Sequence, residues 1–172
     1  MATTFTLKVI KPKKMRVDAF RRELLNVTAR EGTVHRQELR KTVSTWRNKP
    51  KFESLKSLAG GNILVITGPT GDVEAVKHWI WADEGTPPHI IRARRAPYLR
   101  FKWSGGKPKT TPRRFESGPG KVGTKWAMKK SVWHRGTKPR EWAKLLSERR
   151  KDKFRKNVIE GLQRAAKRAF QE

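Results

Sequence analysis

The side chains able to do chemistry are few and scattered. The four histidines are His35, His78, His89 and His134. No two stand three or four residues apart, the spacing that would set two metal ligands on one helical face. Asp83 and Glu84 are adjacent carboxylates beside Pro87 and Pro88. Acid–base work needs a second group held opposite such a pair, so solvated loop acids or intersubunit ion pairs are the better reading. Gly68-Pro69-Thr70-Gly71-Asp72 has the glycines of a phosphate loop without its terminal glycine, lysine and hydroxyl residue, and reads as a turn. No serine or threonine sits in a nucleophile elbow. Cysteine is absent, which removes thiol nucleophiles, disulfides and thiolate zinc sites together. A nuclease would need clustered acidic metal ligands, whereas the 15 acids here are dispersed. The expectation is a protein that is not an enzyme and carries no cofactor or metal.

Charge points to partners instead. Against those 15 acids stand 42 Lys and Arg, a net +27, and self-repulsion on that scale destabilises a compact monomer unless something anionic offsets it. From His89 onward lie 26 of the basic residues and 6 of the acids, a balance of +20, so the field belongs to the second half of the chain. Arg92, Arg94, Arg95, Arg100, Lys102, Lys107, Lys109, Arg113 and Arg114 are the candidate contacts for DNA or an acidic protein. Contact with DNA would be mostly to phosphates, independent of sequence and lost steeply as salt rises. Trp126, Trp133 and Trp142 are interleaved with basic residues; they could stack on bases, but core or interface packing is the commoner fate of tryptophan. The basic run over 149–156 charges a helical face, either solvated or docked on an acidic partner.

These residues need a scaffold. A chain of 172 residues suits a single domain that removes roughly 70% of its unfolded surface from water. Its seven tryptophans argue against disorder. The longest apolar run, 63–66, is far short of the roughly 18 residues of a membrane span, and no signal-peptide stretch opens the chain, so a protein made in the cytoplasm and away from membranes is expected. Residues 1–14 read as an N-terminal arm or edge strand. Apolar spacings of three to five over 15–46 predict an amphipathic helix, with a bend or break at Gly32-Thr33 and an end before Pro50. Two strands follow, one through Phe52, Ser54, Lys56 and Leu58 and one over 62–67, joined by Gly60-Gly61. A second tight turn is expected at 68–71. Asp72 can cap a short helical or extended segment to Trp81. Ile90-Ile91 and 99–103 read as strands, 104–124 as a long, mobile, basic Gly/Pro-rich loop, and 126–133 as a returning strand. A C-terminal helix is predicted over 139–170 with Pro139 in its first turn. The class is α+β: an antiparallel β-sheet flanked by a long N-terminal and a long C-terminal helix.

Two segments are alike: Asp83-Glu84-Gly85-Thr86-Pro87-Pro88-His89 and Trp133-His134-Arg135-Gly136-Thr137-Lys138-Pro139. Glycine permits a left-handed corner, threonine bonds the backbone and proline stiffens the exit, so each can turn the chain sharply at a sheet margin. Around them stand Ile90-Ile91, the strand Leu99-Arg100-Phe101, Lys109-Thr110-Thr111-Pro112, and a Val132, His134, Gly136-Thr137, Arg140 series before the last helix. In this order the segments resemble the head–tail joining or tail-completion family of lambdoid-type long-tailed bacteriophages (siphophages). They span roughly 60 residues, while the flanking helices agree only in type. Arg135 departs from the pattern, since the family commonly has proline there; the turn is then looser or open to an anion. The resemblance implies a virion protein of the neck or tail, assembled in the host cytoplasm. It would form a closed homo-oligomeric ring around the DNA channel, a hexamer by the tail symmetry of that family, beside stopper, terminator or tube proteins. Gly85, Thr86, Pro87, His89, His134, Arg135, Gly136, Thr137 and Pro139 would be its assembly turns, suited to the heterologous contacts of a ring. The main alternative is a basic RNA- or DNA-binding protein of ribosomal or nucleoid type.

Overall fold

A computed structural model describes residues 17–59 and 62–170. The expected arm over 1–14 and the Gly60-Gly61 turn lie outside the described residues. The fold is α+β, with elements in the order α1 (Val17–Thr42), β1 (Lys51–Ala59), β2 (Asn62–Thr70), α2 (Val73–Glu84), β3 (His89–Arg92), β4 (Leu99–Trp103), β5 (Lys125–Lys129), β6 (Ser131–His134) and α3 (Trp142–Phe170). Long helices stand near both ends, as the periodicity predicts, and among the described residues all strand pairing is antiparallel, as the order of elements predicts. Among the described residues the strands form three separate two-stranded ribbons, β1–β2, β3–β6 and β4–β5, in place of one sheet. The segment expected as one returning strand divides at Lys130 between two of them. Among the described residues, no helix is long and apolar enough to cross a membrane.

Contacts group the described residues into two compact units, the first from 17–40, 51–59, 62–70 and 143–170, the second from 41–50 and 71–142. In the first, Phe20 and Leu24 on α1, Ile63 on β2 and Ala165 and Ala169 on α3 form a buried cluster. The pairs four residues apart on each helix share a face, and burying Leu24 completely contributes about 2 kcal/mol. The helix does not break at Gly32. A Cβ there would lie 2.7 Å from Val65 Cγ1, and the Gly32 carbonyl accepts from Ser54 Oγ at 2.9 Å. The glycine is spent on close approach of the β1–β2 ribbon, and the helix runs on with its hydrogen bonds intact. Two buried carboxylates tie α1 to α3. Glu31 accepts from Arg150 at 2.8 Å and from Asn157, and Glu23 accepts from Arg164 and Arg168 at 3.3 and 2.6 Å. His35 lines a cavity of about 50 Å³ with Glu31 and Phe154, and its buried Nε2 has no hydrogen-bond partner. Burial lowers the His35 pKa, the Arg150 charge adds to the effect and Glu31 opposes it.

The tight turn expected at 68–71 is largely strand. Gly68, Pro69 and Thr70 continue β2 opposite Glu53, Phe52 and Lys51. A two-stranded ribbon tolerates the proline because its missing N–H can face away from the partner strand. In the second unit the Asp72 segment takes the helical alternative: its carboxylate accepts from Ala75 N at 2.8 Å, capping α2. The core is aromatic, with Trp142 fully buried and its ring 5.9 Å from Trp79 and 6.4 Å from Trp46. Both buried indoles place their N–H groups, Trp79 on Thr42 Oγ1 at 3.0 Å and Trp142 on the Arg114 carbonyl at 2.9 Å, as burial of a polar edge requires.

The start of α3 corrects the sequence reading. Pro139 lies outside the helix, which begins at Trp142. Arg140 and Glu141 donate their N–H groups to the Asp83 carbonyl at 3.1 and 3.0 Å, Glu141 takes a left-handed φ of 57°, and Trp142 N donates to the Asp83 carboxylate. A cap supplied from 59 residues away along the chain overrides the local preference of proline for a first turn.

Candidate interaction surface

The two Gly-Thr segments, 51 residues apart, are bound to each other. Thr86 N donates to the Thr137 carbonyl at 3.0 Å and Thr137 N to that of Thr86 at 3.1 Å; Thr86 Oγ1 accepts from Thr137 N as well, at 2.9 Å. Gly85 and Gly136 have φ values of 80° and 81°, and a Cβ on either would run into the other segment's backbone, at Thr137 O for Gly85 and at Thr86 O for Gly136. Both positions therefore require glycine twice over, for conformation and for space. The pairing continues into the β3–β6 ribbon, where His89 faces His134 with ring centroids 5.0 Å apart. Gly136 N donates to His134 Nδ1 at 3.1 Å, and His89 Nδ1 lies 2.9 Å from the Pro87 carbonyl, to which it donates. Pro87, Arg135 and Pro139 are exposed around this interlock.

A third stretch joins it. Buried Thr110 accepts from Arg140 Nε at 3.1 Å, and the Arg140 guanidinium also donates to the Lys138 carbonyl at 2.8 Å. Burial lowers the Arg140 pKa from its ordinary value. Asp83, Thr110, Arg140 and Trp142 are thus the hub on which the turns are mounted. All four stand in segments that the sequence already marks, but their joining was not legible there, because each pairs with a partner far along the chain.

The cations are spread over the unit and not gathered at one point. Arg92 closes β3, Arg94 and Arg95 lie in the bend after it, and all three are exposed. Lys107 exchanges two backbone hydrogen bonds of 2.7 Å with Lys121, Lys109 Nζ donates to the Thr45 carbonyl at 2.7 Å, and Ser117 Oγ donates to the Thr42 carbonyl. Exposed Arg113 has φ 59°, and Arg114 receives the Trp142 indole on its carbonyl. Arg100 and Lys102 project from β4 on the face that carries Trp126 and Met128 of β5, since their register sets Arg100 opposite Met128 and Lys102 opposite Trp126. The Arg100 guanidinium carbon lies 4.4 Å and Lys102 Nζ 5.3 Å from the Trp126 ring centroid.

Of the three tryptophans singled out by their basic neighbours, Trp142 is core, while Trp126 and Trp133 are 56% and 63% exposed. Trp103, Met128 and Ile90 are exposed too. Large apolar side chains on short two-stranded ribbons have too little protein behind them to be covered within the unit. Together with the cations they make a surface of exposed apolar and basic side chains; among the described residues no three His, Asp or Glu side chains gather as a metal site. Comparison with known proteins leaves the surface to speak for itself, since no family model, curated protein or solved structure matches the chain.

Proposed function

We propose that this chain is a non-enzymatic structural protein of the neck or tail of a long-tailed phage, joining or completing the tail at the head–tail interface as a ring around the DNA channel. The observation that carries the reading is convergence. The segments resembling the tail-completion family all fall in the second unit, and three of them meet in one interlock through Thr86, Thr137, Thr110 and Arg140. Residue types that look like separate short turns along the chain are parts of one framework. The exposed Ile90 and Trp133, directly opposite each other on the β3–β6 ribbon, give that framework an apolar face of the kind that marks protein contacts. In a ring each copy would offer this face to the next, and the basic surface would meet DNA, or an acidic stopper, terminator or tube protein.

Sedimentation and negative-stain imaging of the purified chain, alone and mixed with isolated phage tails, test the reading. Closed rings or tail-bound particles are expected, and Trp133→Ala should weaken both. A chain that stays monomeric alone and with tail components, yet binds RNA tightly at physiological salt, would overturn it.

A further inference from the structure

The β4–β5 ribbon carries an arrangement that assembly does not call for. Its register places Arg100, Lys102, Trp126 and Met128 on one face, and both cations lean on the indole at cation–π distance. Trp126 nevertheless remains 56% exposed, so much of its surface is open to a ligand. Over 89–140 the chain holds 16 Lys and Arg against the single acid Glu116. The field around this face is therefore strongly positive and draws a polyanion.

We propose that this face binds a single nucleic-acid strand, an unpaired base stacking on Trp126 while Arg100 and Lys102 meet the phosphates on either side of it. The proposal goes beyond the neck reading and does not rest on it. An acidic peptide would satisfy the two cations but leave the indole without a partner. A duplex would offer phosphates, but its bases are already stacked and would have to be unstacked to reach the tryptophan. A single strand supplies both chemistries, phosphates and unstacked bases. Because every base has a π-face, the site reads no sequence. Holding Arg100 and Lys102 over the ring reduces the side-chain freedom that binding would otherwise remove.

The test is fluorescence anisotropy with the full chain and a labelled oligothymidylate of about 16 nucleotides. An abasic strand of equal length carries the same phosphates without bases, and it should bind about tenfold more weakly. On Trp126→Ala oligothymidylate and the abasic strand should bind alike, while Trp126→Phe retains most of the difference between them. Arg100→Gln with Lys102→Gln should lower the slope of log affinity against log salt by roughly 1.4, about 0.7 for each phosphate of a single strand that is no longer neutralised. Equal affinity for the two strands overturns the proposal. So does displacement of oligothymidylate by polyglutamate as readily as by unlabelled strand, which would assign the face to acidic protein, or tighter binding of duplex than of single strand.

Discussion

In the first unit Leu24, Ala165 and Ala169 disappear into a core shared by two long helices and a ribbon. In the second, Trp103, Trp126 and Trp133 stay largely in water, and order comes from a small aromatic core around Trp142 and from hydrogen bonds around two glycines and one buried aspartate. Amphipathic helices need only their apolar stripe covered, and many side chains can do that. Short two-stranded ribbons bury little, so a few exact backbone contacts must hold them. That second strategy leaves large side chains free for a partner, and it concentrates the stability in fewer places.

The contrast can be broken at the hub first. Trp142→Ala empties the best-packed position of the second unit and should cost about 3 to 5 kcal/mol in urea unfolding; a smaller loss would mean that the aromatic cluster is not its core. Next comes a matched pair of glycines. Gly136→Ala must hold a side chain at φ 81° against the Thr86 backbone and should cost about 3 kcal/mol. Gly32→Ala meets only the Val65 and Ser54 side chains and gains helix propensity, so about 1 kcal/mol is expected. Equal losses would remove the distinction between a backbone interlock and a packing contact.

Within the first unit, Glu31→Gln leaves Arg150 half-buried without its countercharge and should cost about 2 kcal/mol by the same measurement. A weaker dependence on pH follows from His35. Its folded pKa is lowered, so the folded state keeps the ring neutral while the unfolded chain takes up a proton below about pH 6.5. The stability contributed is complete above that pH and is lost as pH falls through and below it. Urea midpoints measured from neutral to mildly acidic pH should fall in the wild type and fall less in His35→Leu. The smallest effect belongs to the binding face: Trp126→Ala should shift stability by no more than about 0.5 kcal/mol, as an exposed side chain away from the hub. A large loss would show that the indole is structural.

Periodicity made the two long helices legible, and Asp72 before an apolar run marked the start of α2. Strand-like runs bounded by turn residues marked β1, β2, β3 and β4. The same local logic failed where a distant group took over. Pro139 suits a first turn, but the Asp83 carboxylate starts α3 three residues later. Gly32 looks like a helix breaker, but Ser54 and Val65 sit where its side chain would be. The two Gly-Thr segments could be recognised as alike, and nothing in either one said that its partner was the other.

By itself the sequence determined the helical stripes, the positive second half, the absence of thiol chemistry and the two positions where glycine could turn the chain, because each follows from composition or from neighbours within a few residues. The tertiary structure alone decided that Thr86 pairs with Thr137, that 126–133 is shared between two ribbons, and that Trp142 is buried while Trp126 faces water. Those outcomes depend on the register between strands far apart in the chain, and a strand's alternating pattern is the same whichever partner it finds.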